Sequence, residues 1–191
     1  MTITLLDRPA PIHDDATRRR FLIGGTSLAA LLAGCGDTAT PPPATGADSG
    51  PFPVTIEHQF GSTEITRRPE RVVVVGVNEQ DALLALGVVP VGTTGYRDDP
   101  PPGMIYPWAT DKLGDGPTPE IIPRADPFNF EGVAAQHPDL IVGLYSGMTQ
   151  GDYKTFNKIA PTLAHPKEYP DFGMPWQEIT RTVGQALGKP Q

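Results

Sequence analysis

The only cysteine in this 191-residue chain, Cys35, ends the quartet Leu32-Ala33-Gly34-Cys35. Ahead of it run Thr17-Arg18-Arg19-Arg20 and an apolar stretch from Phe21 to Ala33. Small residues before a thiol let the chain enter a peptidase and leave the sulfur free as an acyl acceptor. The quartet resembles a lipobox, in which the cysteine is lipidated and becomes the mature N-terminus. Thirteen apolar residues form a signal-peptide core, too short to cross a bilayer of ~30 Å as a helix. Arg18 and Arg19, close ahead of Phe21-Leu22, resemble a twin-arginine export signal, which is read by a receptor. A buried helix with an incidental cysteine is the competing reading, and it leaves this ordered series unexplained. More than one acyl chain on Cys35 would anchor stably, since each buried methylene contributes about 0.8 kcal/mol.

A second set of residues could recognise a ligand without reacting with it. These are Asn78 and Glu79, then Tyr96 and Arg97, then Tyr145 and Ser146, with His165 and Lys167 further on. Phenols, hydroxyls and cations in this mixture suit a polar, bulky, partly anionic ligand. Tyr96 and Arg97 can stack on such a ligand and donate charge-assisted hydrogen bonds, or stand as an exposed loop pair. Trp108 follows the Gly/Pro-rich loop 99–107 and either lines a cleft or pins that loop to the core. No Gly-x-Ser-x-Gly elbow, His-Glu-x-x-His pair or phosphate-cradling glycine loop occurs. We therefore expect a binding protein and no enzyme. His58, His137 and His165 lack metal-ligand spacing. Asp98, Asp99, Asp111 and Asp115 lack EF-hand spacing and read as solvated turn carboxylates. We expect no metal site and no cofactor.

The elements that must position these residues begin at Phe52. Gly36 to Pro51 contains no aromatic or large aliphatic residue, so it cannot offset its ordering entropy by burial. Residues 1–34 thus read as a signal peptide, 35–52 as a lipidated cysteine with a tether, and 53–191 as a folded α/β lobe. Val54 to His58 and Thr63 to Thr66 alternate around a turn at 60–62, which predicts a hairpin. Val72 to Val75 is a β-branched run, expected for a strand covered on both faces. Asn78 is placed as the cap of a short helix ending at Gly87, and Val88 to Val91 as the following strand, irregular at Pro90. Helix over 130–136, strand over 140–142, helix over 152–159, strand over 161–164 and a helix from Trp176 to Gly188 complete the pattern. Alternating strands and short helices predict a parallel sheet flanked by helices. Ligand loops then gather at the carboxyl ends of the strands.

Bulk composition narrows the partners. The formal net charge is −7; the four Arg and three Asp of 1–34 give that segment +1 and leave −8 for the rest. An acidic body lacks the clustered cations that nucleic-acid binding requires. One cysteine permits neither an intramolecular disulfide nor a thiolate zinc cage.

Several segments resemble one family, the substrate-binding proteins of ABC importers for ferric siderophores, haem and cobalamin. They are Arg68-Pro69-Glu70-Arg71-Val72-Val73, Ala82 to Gly92, Asn129-Phe130-Glu131-Gly132-Val133, Pro138-Asp139-Leu140-Ile141, Ile159-Ala160-Pro161-Thr162 and the Trp176 helix. Together they span about residues 53 to 189 in the family's order, and they are most similar to the iron–siderophore group, whose members are often lipoproteins. The resemblance implies the N-terminal lobe of a two-lobed periplasmic-binding-protein-like fold. It also implies a monomer on the outer face of the cell membrane that delivers a ferric siderophore to a membrane permease. Iron would arrive already chelated, with no protein ligand to the metal. By its place in the Asn129-Phe130-Glu131 segment, Glu131 matches the glutamate that docks this family on its permease; otherwise it is a helix-start carboxylate favoured by the dipole. The sequence stops at Gln191, after what resembles the last helix of the first lobe, so a truncated chain without the second lobe is expected. Three alternatives stand beside this reading. One is an exported cofactor-bearing redox protein, one a haem or cobalamin binder of the same family, and one a cell-envelope interaction module.

Overall fold

The computed structural model describes residues 51–189, and all that follows concerns those residues. The leader, Arg18, Arg19, Cys35 and the tether as far as residue 50 lie outside them.

The predicted hairpin is present. Strands β1 (Val54–His58) and β2 (Gly61–Ile65) pair antiparallel, Val54 opposite Ile65 and His58 opposite Gly61. Five further strands form one wholly parallel sheet. They are β3 (Val72–Val74), β4 (Gly92–Thr94), β5 (Glu120–Ile122), β6 (Leu140–Gly143) and β7 (Thr162–Ala164), in the spatial order β5-β4-β3-β6-β7. Helices α1 (Glu79–Ala85), α2 (Thr110–Leu113), α3 (Phe130–Ala135), α4 (Gln150–Phe156) and α5 (Trp176–Ala186) connect or follow the strands.

Strand alternation divides the core. Val72, Val74, Leu140 and Val142 join Leu83 of α1, Ile179 and Val183 of α5, and Ile56 and Ile65 of the hairpin. Val73, Val75 and Ile141 face the opposite way, onto Val133 of α3 and Phe156 of α4. The central strand is therefore apolar at every position because both of its faces are covered. Phe52 also packs against the first of these clusters, so the ordered lobe includes at least one residue of the segment read as tether.

The RPERV motif proves to be structural. Asp139 accepts hydrogen bonds from the Glu70 and Arg71 amides, at 3.0 and 2.8 Å. The Arg71 guanidinium donates to the Gln136 and His137 carbonyls at the end of α3. These bonds fasten the entrances of β3 and β6 side by side and occupy carbonyls that a helix C-terminus leaves open.

Two local expectations fail, for physical reasons. The strand read at Val88–Val91 starts instead at Gly92. Here the Val88 amide bonds back to the Leu83 carbonyl to close the end of α1, and Pro90 has no N–H to offer a ladder. Asn78 stands at the N-cap of α1, yet its side chain caps nothing; the Glu79 carboxylate accepts the Asn78 amide at 3.1 Å instead. Strand β5, which the sequence reading passed over, is three residues long and sits behind Pro117-Thr118-Pro119 at the sheet edge. Its bonds to the Val91 carbonyl and from the Gly95 amide, at 3.1 and 2.9 Å, come from β4 and the turns beside it.

Candidate functional site

Because all five strands run parallel, the segments leaving their carboxyl ends lie along one edge of the sheet. From β3 the chain builds outward to β4 and β5 on one side, then returns to build β6 and β7 on the other. Loops leaving β3 and β6 consequently diverge, and a crevice opens between them, the position where open α/β sheets bind ligands. An open groove of ≈ 180 Å³ occupies this point. Gly76 and Val77 line it after β3, Gly95 and Tyr96 after β4, Arg124 and Phe128 after β5, and Ser146 after β6, with Phe172 contributed by the segment after β7.

A buried carboxylate holds the crevice in shape. Glu79 is 0% exposed at the start of α1. One of its oxygens accepts the Tyr145 amide at 2.8 Å, the other the Asn78 amide at 3.1 Å. It thus bridges the loops that leave β3 and β6. A Cβ on Gly76 would collide with this carboxylate, so glycine is required there by close approach. Burial pushes the Glu79 carboxyl above its usual value of 4.5, and the backbone amides that favour the ionised form offset only part of that rise.

Of the residues expected to contact ligand, Tyr96 and Ser146 line the groove. Arg97 is exposed on the same loop as Tyr96. The Tyr96 hydroxyl lies 2.9 Å from that of Tyr106, and the Tyr106 ring stacks on Trp108 with centroids 4.7 Å apart. Burial, then the Tyr106 hydroxyl, hold the Tyr96 phenol above its usual range, so it serves as a neutral hydroxyl. Trp108 is 71% exposed and donates its indole N–H to Asp81 at 2.9 Å, which anchors the loop over α1 without placing the indole in the groove. The Tyr145 ring meets Phe172 edge to face at 5.4 Å. Asn78 faces a different depression, ≈ 270 Å³, between α1 and α5 beside Trp176, and its side-chain carbonyl has no partner. Glu131 is exposed in the first turn of α3, which the Asn129 side chain caps through the Gly132 amide at 2.8 Å.

Other expectations resolve structurally. Lys167 lines a separate depression with Glu57 and His58. His165 is buried, with Nε2 2.9 Å from Asp171 and Nδ1 2.9 Å from the Pro166 carbonyl, and so braces the segment that carries Phe172. Among the described residues no three His, Cys, Asp or Glu side chains gather as a metal site, and no helix is long and apolar enough to cross a membrane.

Arg124, Phe128 and Phe172 are among the groove residues that escaped the sequence reading. Recognising β5 would have found the first two, since they follow its last residue. Phe172 has φ 57° in a Pro/Gly-flanked loop, and no periodicity announces it.

No family model matches the chain. The putative ABC transporter substrate-binding lipoprotein YhfQ of Bacillus subtilis is 30% identical over 162 residues, covering 85% of this chain and 46% of that protein. Among solved structures, a periplasmic solute-binding protein from Mycobacterium smegmatis matches with TM-score 0.66 and 38% identity, over 71% of this chain and 47% of the other. PiaA of Streptococcus pneumoniae, solved in complex with ferrichrome, matches with TM-score 0.62 and 31% identity, over 71% and 45%. The chain spans about half the length of the curated relatives it matches.

The Glu79 bridge generates a stability prediction. Glu79→Ala leaves two inward-facing amides unpaired and should cost about 1–3 kcal/mol in urea unfolding. Its folded pKa is raised, so the native state holds the proton more tightly than the unfolded chain. The associated stabilisation is complete below the ordinary value of 4.5 and is lost as pH rises towards the raised one. Wild type should therefore lose stability with rising pH across that window relative to Glu79→Gln; identical slopes would refute the assignment.

Proposed function

We propose that this chain, a homologue over a single lobe of the iron–siderophore substrate-binding proteins of ABC importers, captures a ferric siderophore for delivery to a membrane permease. One observation carries the proposal. A groove of aromatic, hydroxyl and cationic residues lies where the strand order reverses, in a lobe that matches a ferrichrome-bound protein at 31% identity. Capture of this kind makes and breaks no covalent bond. The relatives are binding proteins, and we read this chain likewise as a receptor and no enzyme.

Tyr96, Arg97, Tyr145 and Ser146 supply the contacts we assign to ligand, with Asn78 and Trp108 at its margin. The chelate would enter with iron already coordinated, as cargo. Lipid on Cys35, after export directed by Arg18 and Arg19, would hold the lobe at the outer face of the cell membrane as a monomer. Glu131, exposed at the head of α3, is assigned to permease docking, where a rim charge steers association more than it sets affinity.

Three measurements test the parts separately. Trp108 and Trp176, both largely exposed, report on added ferric chelates, and Trp108 is tied to the groove through Tyr106 and Tyr96. Saturable quenching by a ferric chelate is expected; haem or cobalamin quenching instead would move the ligand within the family. A cofactor that co-purifies and can be reduced would sink the receptor reading. In vesicles bearing the cognate permease, loaded protein should stimulate ATP hydrolysis, and Glu131→Ala should lose that stimulation while still binding chelate. Metabolic labelling with a radioactive fatty acid should mark the wild type; a Cys35→Ser chain that still carried label would refute the anchor.

A further inference from the structure

His58, the last residue of β1, is buried, and its hydrogen bonds leave no place for a second ring proton. The Phe60 amide, which can only donate, meets Nδ1 at 3.2 Å, so Nδ1 must keep its lone pair. Nε2 therefore bears the ring hydrogen and donates it to the Thr63 hydroxyl at 3.0 Å. That hydroxyl donates in turn to the Thr162 carbonyl of β7 at 2.7 Å, and its second lone pair receives the Tyr153 hydroxyl at 3.3 Å. The ring and its two hydroxyl neighbours thus fix a neutral tautomer. A proton added to Nδ1 would set one N–H against another across the hairpin turn.

The charged groups around the ring do not supply a partner for that proton. Glu57, the neighbour whose charge favours it, is exposed to screening water. Lys167 and Glu168, which share a depression with His58, carry opposite charges. From α4 the ring meets the Tyr153 phenol, with centroids 4.9 Å apart. Burial outweighs Glu57 and holds the His58 ring below its ordinary value of 6.5.

The turn that His58 closes is tied to the ligand groove. Gln59 donates its amide to the His165 carbonyl at 3.0 Å, and its side-chain nitrogen lies 2.6 Å from His165 Nε2. His165 reaches on to Asp171, the residue before Phe172. Phe172 lines the groove with φ 57°, a conformation that persists only where surrounding contacts fix it.

We infer that His58 is an acid-sensitive latch: proton uptake by its ring opens the hairpin turn and releases, through Gln59 and His165, the groove segment that carries Phe172. The latch is a property of the fold; its effect on a ligand rests on the binding role proposed above. A ring that takes a proton less readily when closed than when open favours the closed form above pH 6.5. That preference is lost by up to about tenfold per pH unit as pH falls below 6.5.

The full chain labelled with nitrogen-15 tests the latch. At about pH 7.5, two-bond proton–nitrogen spectra should show His58 as the neutral Nε2–H tautomer. As the ring gains its proton, the Gln59 and Phe60 amides should lose protection from hydrogen exchange, and so should the Gly173 amide, which bonds the Pro170 carbonyl beside Phe172. The expected loss is about tenfold over the first pH unit below 6.5, and His58→Gln, which takes up no proton, should show none. Protonation of His58 with these amides still protected, or a loss that persists in His58→Gln, would overturn the latch; the wild-type spectra decide this even where the variant folds poorly. Ferrichrome, which keeps its iron at these pH values, is titrated by tryptophan fluorescence. Below the midpoint of the His58 titration its affinity should fall by up to about tenfold per pH unit in the wild type and stay level in His58→Gln. Affinity that ignores the His58 titration would overturn control of the groove. Absence of binding by any ferric chelate at every pH would sink the receptor reading, with the latch still judged by the exchange data.

Discussion

The architecture depends on the burial of β3 on both faces. Val72, Val73 and Val74 are 0% exposed, and successive side chains point into two different cores, one built with α1 and α5 and the other with α3 and α4. A strand so placed must be central, and parallel neighbours require crossovers that cover both faces. Once β3 is central and first in its sheet, the chain has to grow outward on one side and return to the other. The crevice at its carboxyl end is a consequence of that order, present before any particular side chain is chosen to line it. Glu79 then sets its width, because a single carboxylate joins the β3 and β6 loops through their amides.

The sequence carried the parts of this that repeat. A β-branched run marks β3, alternation marks the hairpin, and β6 and β7 read as short apolar runs between helices. The residues of the groove were partly legible: Ser146 follows a strand read in its place, and Tyr96 was found although its strand, Gly92–Thr94, was read at Val88–Val91. Failures cluster where tertiary hydrogen bonding overrules local texture. Val88 to Val91 looks like a strand by composition, but its first amide closes a helix and Pro90 has none to give. Strand β5 is the reverse case, a ladder segment fixed by β4 and its flanking turns, with too few residues to show a period. Losing β5 hid Arg124 and Phe128, which line the groove just past its end.

Motif resemblance and function separate along the same line. The Arg71–Asp139 contacts account for several residues on which the family resemblance rests, and they hold backbone rather than ligand. Such residues report the fold. Two residues that line the groove, Arg124 and Phe172, lie outside the segments quoted for the resemblance. Similarity can therefore relate the chain, over a single lobe, to iron–siderophore binding proteins while leaving ligand choice to be argued from the groove itself.

An open groove imposes its own discipline on that choice. Sites that enclose a ligand gain much of their affinity from the surface they remove from water. A groove of ≈ 180 Å³ on one wall covers little of a bulky chelate, so burial contributes little selectivity here. Directional groups must carry it instead: a guanidinium that demands an acceptor, a phenol held neutral by burial and by its Tyr106 partner, and an aromatic edge at Phe172. The Glu79 carboxylate accepts two backbone amides and is fully buried, so it ties the loops together without presenting itself to the groove.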